Sequence, residues 1–241
     1  MNTIYQNIKL SVSQSEKLLA ILIDPDKFSI DRAKTFFEKV NASIATHIFV
    51  GGSIVEAHKT DILVKEIKTH TQLPIVLFPG DVSQISNEAN ALLFLSLLSG
   101  RNAEFLIGKH VEAISKLNKT NLEIISTGYI LIESGQKTAV EKVTQTKPIS
   151  RNDLQQIVHT AKAAEFLGMK LIYLEAGSGA LIPISEEIIT SVKAETKIPL
   201  IIGGGIKSIL DLENAYHAGA DLVVIGNAFE NNESLFNELK K

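Results

Sequence analysis

The chain has 241 residues, 24 basic and 27 acidic side chains, a formal net charge of −3 and no cysteine. That balance argues against nucleic acid as a partner, and the missing cysteines exclude disulfides, thiolate metal sites and a cysteine nucleophile. No apolar run reaches the ~18 to 20 residues of a membrane span and the first 15 residues lack a signal core, so a cytoplasmic protein with no transmembrane segment is expected, peripheral membrane contact being left open.

The predicted elements follow a βα rhythm. A short leading helix is expected over 12–19 and a first strand over 20–23, which stops at Asp24-Pro25-Asp26-Lys27. Ser29 or Asp31 is expected to cap a helix over 32–40. The second strand, 47–50, ends at Gly51-Gly52-Ser53, and a helix over 54–69 carries Val55, Ile62, Leu63 and Ile67 on an apolar stripe. The third strand, 74–78, ends at Pro79-Gly80. There the rhythm breaks. Only residues 81–90 precede the fourth strand, 91–95, fewer than a crossover helix with two loops usually takes. A short helical turn or an irregular segment is expected instead.

An amphipathic helix over 103–117 leads to a fifth strand over 122–127, with 129–134 as its extension or as a separate strand. The polar stretch 135–148 is long for a loop and reads as a lid or a local hairpin. A helix over 151–168 has Asp153 near its start and Gly168 at its C-cap. Strands at 171–172, 199–202 and 222–225 then alternate with helices near 185–194, 208–218 and 229–240. Apolar runs rich in Ile, Val and Leu suit parallel strands covered on both faces. Eight such units predict an α/β fold, a modified (β/α)8 TIM barrel forming a single domain over residues 1–241, with the helix after strand three lost or reduced. A doubly wound open sheet is the competing layout.

Three glycine-bearing turns close the last three strands: Tyr173-Leu174-Glu175-Ala176-Gly177-Ser178-Gly179, Gly203-Gly204-Gly205-Ile206 and Gly226-Asn227-Ala228. Bare backbone N–H groups at a helix start hold an anion, and barrel phosphate sites favour the last two strand ends. The set reads as one phosphate site, with Ser178 and Asn227 adding side-chain hydrogen bonds. Asp24, held extended by Pro25, with Asp26 and the Ser53 hydroxyl, reads as an oxygen set for a hard cation. A capping aspartate in an Asp-Pro turn fits the spacing equally well. Glu175 either handles a substrate hydroxyl or is tied to backbone N–H groups. Tyr173 faces the same way and either bonds substrate or packs. The histidines form no metal spacing.

Together these residues resemble the geranylgeranylglyceryl phosphate synthase family. The resemblance rests on Ile23-Asp24-Pro25-Asp26-Lys27, Val50-Gly51-Gly52-Ser53, the segment from Tyr173 to Gly179, the stretch from Gly203 to Ile206 and Gly226-Asn227. Ser99-Gly100-Arg101-Asn102 and Thr127-Gly128-Tyr129 add to it, as does the reduced element after strand three. It implies a prenyltransferase joining a long prenyl diphosphate to the primary hydroxyl of sn-glycerol 1-phosphate.

On that mapping Asp24 and Ser53 bind Mg²⁺. Tyr173, Leu174, Glu175, Ala176, Gly177, Ser178, Gly179, Gly204, Gly205, Gly226 and Asn227 bind glycerol phosphate, and Glu175 is the candidate general base. An apolar groove for the tail is expected near residues 92–98 and Phe105. Some relatives using longer chains carry lysine two residues before the strand-one aspartate. Leu22 stands there in this chain, which favours a C20 donor. A homo-oligomer is expected from barrels of this type. The alternatives are another phosphate-binding barrel enzyme or a non-catalytic phospholigand-binding barrel. The former often pairs aspartates at strands one and five, whereas here strand five ends in Ser126-Thr127-Gly128.

Overall fold

Short apolar runs with both faces buried assemble as parallel strands whose backbone bonds are satisfied by two neighbours. The computed structural model, which describes residues 3–226, 229 and 235–240, joins eight of them in chain order into a closed parallel barrel. They are β1 (Leu18–Ile23), β2 (His47–Val50), β3 (Ile75–Leu77), β4 (Ala91–Leu97), β5 (Glu123–Leu131), β6 (Leu171–Glu175), β7 (Leu200–Gly203) and β8 (Leu222–Ile225). The β1–β8 ladder, Leu18 opposite Leu222 through Ile21 opposite Ile225, closes the ring. The helices described are α1 (Ile4–Ser13), α2 (Ala33–Ala42), α3 (Lys59–His70), α4 (Lys109–Leu117), α5 (Ala139–Thr144), α6 (Leu154–Phe166), α7 (Glu186–Glu195), α8 (Ile209–His217) and α9 (Leu235–Glu238).

The period of two along each strand divides the core into two layers. In β6, Leu171 and Tyr173 point into the barrel, where they meet Phe49, Val76, Leu93, Ile201 and Val224. Ile172 and Leu174 point outward into the larger layer between strands and helices. Helix α1 seals the bottom. Its Ile8 is buried with the barrel interior, and Glu123 at the start of β5 accepts the N–H groups of Ile4 and Tyr5 at 2.5 and 3.2 Å.

The reduced element is observed: between β3 and β4 there is only a 3₁₀ turn, Val82–Gln84. Other boundaries depart from the sequence expectation for identifiable reasons. The leading helix ends at Ser13 rather than covering 12–19, because Leu18 and Leu19 pair with β8. Neither Ser29 nor Asp31 caps α2; Ser29 precedes a 3₁₀ turn without a side-chain cap bond, and α2 follows Arg32. Helix α3 starts at Lys59 rather than Ile54, because His58 takes a left-handed φ of 70°. Ile62 of the expected stripe faces solvent, whereas Leu63, Val64 and Ile67 are buried. The stretch expected to open α4 is π-wound over Glu104–Gly108. Strand β5 runs unbroken to Leu131, and the 135–148 stretch contains α5. Of the last expected helix, 229–240, only Phe229 and residues 235–240 are described, and of these 235–238 form α9.

Candidate active site

At the C-terminal end of the barrel, the strand ends surround a polar chamber. Asp24 and Lys27 after β1, Ser53 after β2, Tyr173 and Glu175 of β6, and the glycine turns after β6, β7 and β8 all line it. Lys142 and Lys207 add positive charge to its wall. A second, largely apolar cavity descends the barrel flank between β4, α4 and the 3₁₀ turn, lined by Ile85, Leu92, Phe94, Leu97, Phe105, Ala113 and Leu117. It occupies the expected groove. Of that stretch Ser96 and Leu98 do not line it: the Ser96 hydroxyl donates to the Leu106 carbonyl at 3.3 Å, and Leu98 turns to another face. Ser53, Phe78, Tyr129, Val140 and Val143 line both cavities, so the apolar arm opens into the chamber.

Glu175 is 5 % exposed. Burial pushes its carboxyl up to about 7, against the opposing pull of the Gly177 N–H and the nearby Tyr173 hydroxyl. The Gly177 N–H donates to Glu175 Oε1 at 2.5 Å. The tied-carboxylate arrangement left open by the sequence is therefore present, and that N–H is already engaged. Tyr173 is fully buried, its hydroxyl without a hydrogen-bond partner among the described residues. Its ring stacks on Phe78 with centroids 5.2 Å apart, and both rings meet Tyr129 edge-on, at 5.4 and 5.7 Å. This aromatic trio stands where arm and chamber join.

Leu174 and Ala176 do not belong to the chamber. Strand alternation turns both side chains into the outer core, and the Ala176 N–H donates to the Gly203 carbonyl at 2.9 Å. The glycine turns also differ from the expected helix-start cradle. Helix α7 begins only at Glu186, well beyond Gly179. The first N–H groups of α8 are claimed by a capping box between Ser208 and Asp211. What the turns present is bare backbone. Gly204 and Gly205 adopt φ of 81° and 77°, and the N–H groups of Gly179, Gly204 and Gly205 have no backbone acceptor among the described residues. Gly226 lines the chamber; Asn227 lies outside the described residues.

Asp24 is paired with Lys27 at 2.7 Å and accepts the Asp26 N–H at 3.1 Å. Asp26 turns away. It pairs with Lys59 at 3.2 Å, accepts the Glu56 N–H at 3.3 Å and does not line the chamber. Among the described residues no three His, Cys, Asp or Glu side chains gather as a metal cage. One carboxylate and one hydroxyl on adjacent strand ends still fit a magnesium ion, which takes few protein ligands and fills its octahedron with water and phosphate oxygens. The same oxygen pair suits neither zinc nor copper. Among the histidines, His110 is buried against Phe94 rather than on an outer face.

The stretch read from the sequence as a lid or a local hairpin, 135–148, carries a helix that the sequence reading missed, α5. Its Val140 and Val143 line both cavities. Thr138 and Glu141 form its capping box, a three-residue spacing that marks a helix start.

A model of the PcrB family matches residues 12–241. This chain belongs to the PcrB family. Two relatives are named geranylgeranylglyceryl phosphate synthase. That of Flavobacterium johnsoniae is 53% identical over 98% of this chain and 97% of the relative, and that of Zunongwangia profunda is 52% identical over 91% and 93%. The crystal structure of (S)-3-O-geranylgeranylglyceryl phosphate synthase from Thermoplasma acidophilum, in complex with its substrate sn-glycerol-1-phosphate, superposes with a TM-score of 0.92 at 31% identity, covering 99% of this chain and 96% of that one. The family resemblance read from the sequence is correct, and this PcrB member is an enzyme of the geranylgeranylglyceryl phosphate synthase family. No helix among its described residues is long and apolar enough to cross a membrane.

Proposed function

We propose that this chain transfers a geranylgeranyl group from its diphosphate to the primary hydroxyl of sn-glycerol 1-phosphate. The observation that carries the reading is the junction of the two cavities. An apolar arm suited to a long hydrocarbon meets a polar chamber with an oxygen-ligand pair on one wall and glycine turns on another. The acceptor is supported by the sn-glycerol-1-phosphate bound to the Thermoplasma acidophilum relative.

In this reading Asp24 and Ser53 hold Mg²⁺. When bound, the ion neutralises charge on the departing diphosphate. Lys27 and Lys142 add to that field from the chamber wall. Gly177, Ser178, Gly179, Gly204, Gly205, Gly226 and Asn227 cradle the acceptor's phosphate, Gly179, Gly204 and Gly205 through their bare N–H groups. Leu174 and Ala176 shape the strand end from behind.

Glu175 takes the hydroxyl proton as the acceptor oxygen bonds to the first carbon of the prenyl group. The bond from that carbon to the diphosphate breaks, and its electron pair leaves with the diphosphate. A carboxyl held near 7 is matched to proton transfer at neutral pH. Phe78, Tyr129 and Tyr173 offer π-electron density at the junction, where positive charge builds on the allylic carbon. Residues 1–241 act as one catalytic domain in the cytoplasm, and a homo-oligomer is expected, which sedimentation measures directly.

The test incubates the purified protein with Mg²⁺, prenyl diphosphates of C15, C20 and C35, and each glycerol phosphate enantiomer. Diphosphate release and an extractable ether lipid are expected, highest with C20 and sn-glycerol 1-phosphate. No release with any donor overturns the proposal.

A further inference from the structure

The outer wall of the apolar arm is the short segment that stands in place of a crossover helix. Val82 and Ile85 line the arm. Gln84, between them, is 2 % exposed. A buried primary amide is costly without partners. Here one peptide group satisfies it from both sides: Gln84 Nε2 donates to the Gly52 carbonyl at 2.8 Å, and the Gly52 N–H donates to Gln84 Oε1 at 3.3 Å. Such a reciprocal pair fixes direction as well as distance.

Gly52 is the residue through which this pair reaches the chemistry. A Cβ there would stand 3.0 Å from Asp24 Oδ1, and the next residue is Ser53. A Cβ on Gly80 would lie 2.5 Å from the Gly52 carbonyl oxygen. Gly52 is thus held between Asp24, Gln84 and Gly80. On its other side the wall is fastened to α4. Asp81 pairs with Lys109 at 3.0 Å, and Lys116 donates to the carbonyls of Val82 and Ser83 at 3.3 and 3.2 Å.

We infer that Gln84 is a positioning residue that locks the wall of the apolar arm in register with the Asp24–Ser53 end of the chamber. The inference rests on the transfer reading. A donor whose tail lies in the arm has its diphosphate placed by Asp24 and Ser53, and the Gln84–Gly52 pair sets the offset between the two. The acceptor side, built on β6, β7 and β8, does not depend on it. Packing alone would be served by an apolar side chain of the same length.

The test compares wild type with Gln84→Met, which keeps length and burial but removes both hydrogen bonds, and Gln84→Glu, which keeps an acceptor for the Gly52 N–H. Three quantities are measured: melting temperature, Mn²⁺ affinity with inorganic pyrophosphate by electron paramagnetic resonance, and separate kinetics for donor and acceptor. In Gln84→Met the Mn²⁺ dissociation constant with pyrophosphate should rise about tenfold, the loss expected for a pair of hydrogen bonds. Donor kcat/KM should fall at least as much, while the acceptor KM stays within about twofold, the acceptor groups being remote and independent. Gln84→Glu keeps the acceptor for the Gly52 N–H but sets a second acceptor against the Gly52 carbonyl, so its donor kcat/KM should also fall about tenfold or more with the acceptor KM within about twofold, and it carries the test alone if Gln84→Met does not fold.

A folded variant with wild-type Mn²⁺ affinity and donor kcat/KM overturns the inference. So does a uniform loss on donor and acceptor alike, which marks a merely structural role. If wild type transfers no donor at all, the transfer reading falls separately, and the Mn²⁺–pyrophosphate measurement still judges the link from Gln84 to the cation end.

Discussion

Glu175 Oε1 lies 2.5 Å from the Gly177 nitrogen, so the carboxylate curls back over its own strand end. In that position a Cβ on Gly204 would be 2.5 Å from the same oxygen. The β6 and β7 turns therefore pack around one acid, and this arrangement both buries Glu175 and keeps it facing the chamber.

Replacing Glu175 by Gln should lower kcat by about 10²–10⁴-fold, the range of a positioned general base. The acceptor KM should change much less, because the phosphate cradle remains. In wild type, kcat/KM should rise with pH through about 7, where the Glu175 carboxyl loses its proton. Rate–pH profiles of both proteins check this.

Glu175 should also leave a signature in stability. Its folded carboxyl, near 7, sits above its ordinary value of 4.5, so the folded state binds the proton more tightly than the unfolded chain. The stability it contributes is complete below about pH 4.5 and is lost as pH rises through about 7, on the order of 3 kcal/mol if the group acts alone. His47, buried and pushed down to about 4 from 6.5, works in the opposite sense: its contribution is present above pH 6.5 and lost as pH falls through about 4. Urea unfolding between pH 4 and 8 should show wild type flattened by these opposing trends. Glu175→Gln should rise from pH 4 to about 6.5 and level off above it.

Asp24→Ala should abolish Mg²⁺-dependent transfer, by about 10²-fold or more, with the fold intact. Asp24 contributes mainly a partly exposed pair with Lys27, so the melting temperature should move by no more than about 2–4 °C. Added Mg²⁺ should not restore activity.

A methyl group at Gly204 meets two obstacles, a left-handed φ of 81° and the Glu175 carboxylate. Gly204→Ala should lower the melting temperature by roughly 2–8 °C. It should also depress turnover by moving Glu175. Calorimetry and the diphosphate-release assay read the two effects independently.

Ala113 is buried on α4 and lines the arm. Ala113→Phe should fill it and lower kcat/KM for the C20 donor by about tenfold or more, with a smaller effect on C15. Overpacking should cost about 1–3 kcal/mol. An unchanged preference across donor lengths would remove the arm as the tail site.

Much of the candidate site was legible because its signals are local. Asp24 before a proline, Gly51-Gly52-Ser53 and the glycine turns stand directly after apolar runs, and barrel chemistry collects at such strand ends. The loss of a crossover helix was legible from chain length alone. Where neighbouring residues of one motif part company, the causes are also local. Leu174 and Ala176 share a motif with Glu175, yet strand alternation turns them away. Asp26 shares one with Asp24, yet Lys59 and the Glu56 N–H claim it.

The sequence by itself determined eight buried parallel strands and where their chemistry-bearing turns fall, since hydrophobic period and turn residues act within a few positions. Only the tertiary structure decided that the apolar arm opens into the polar chamber, that α5 forms part of both, and that Glu175 is buried enough to hold its proton near neutrality. Those properties arise between segments far apart in the chain, such as β1 against β8 and Gln84 against Gly52. They depend on register, burial and local dielectric, which exist only once the ring has closed.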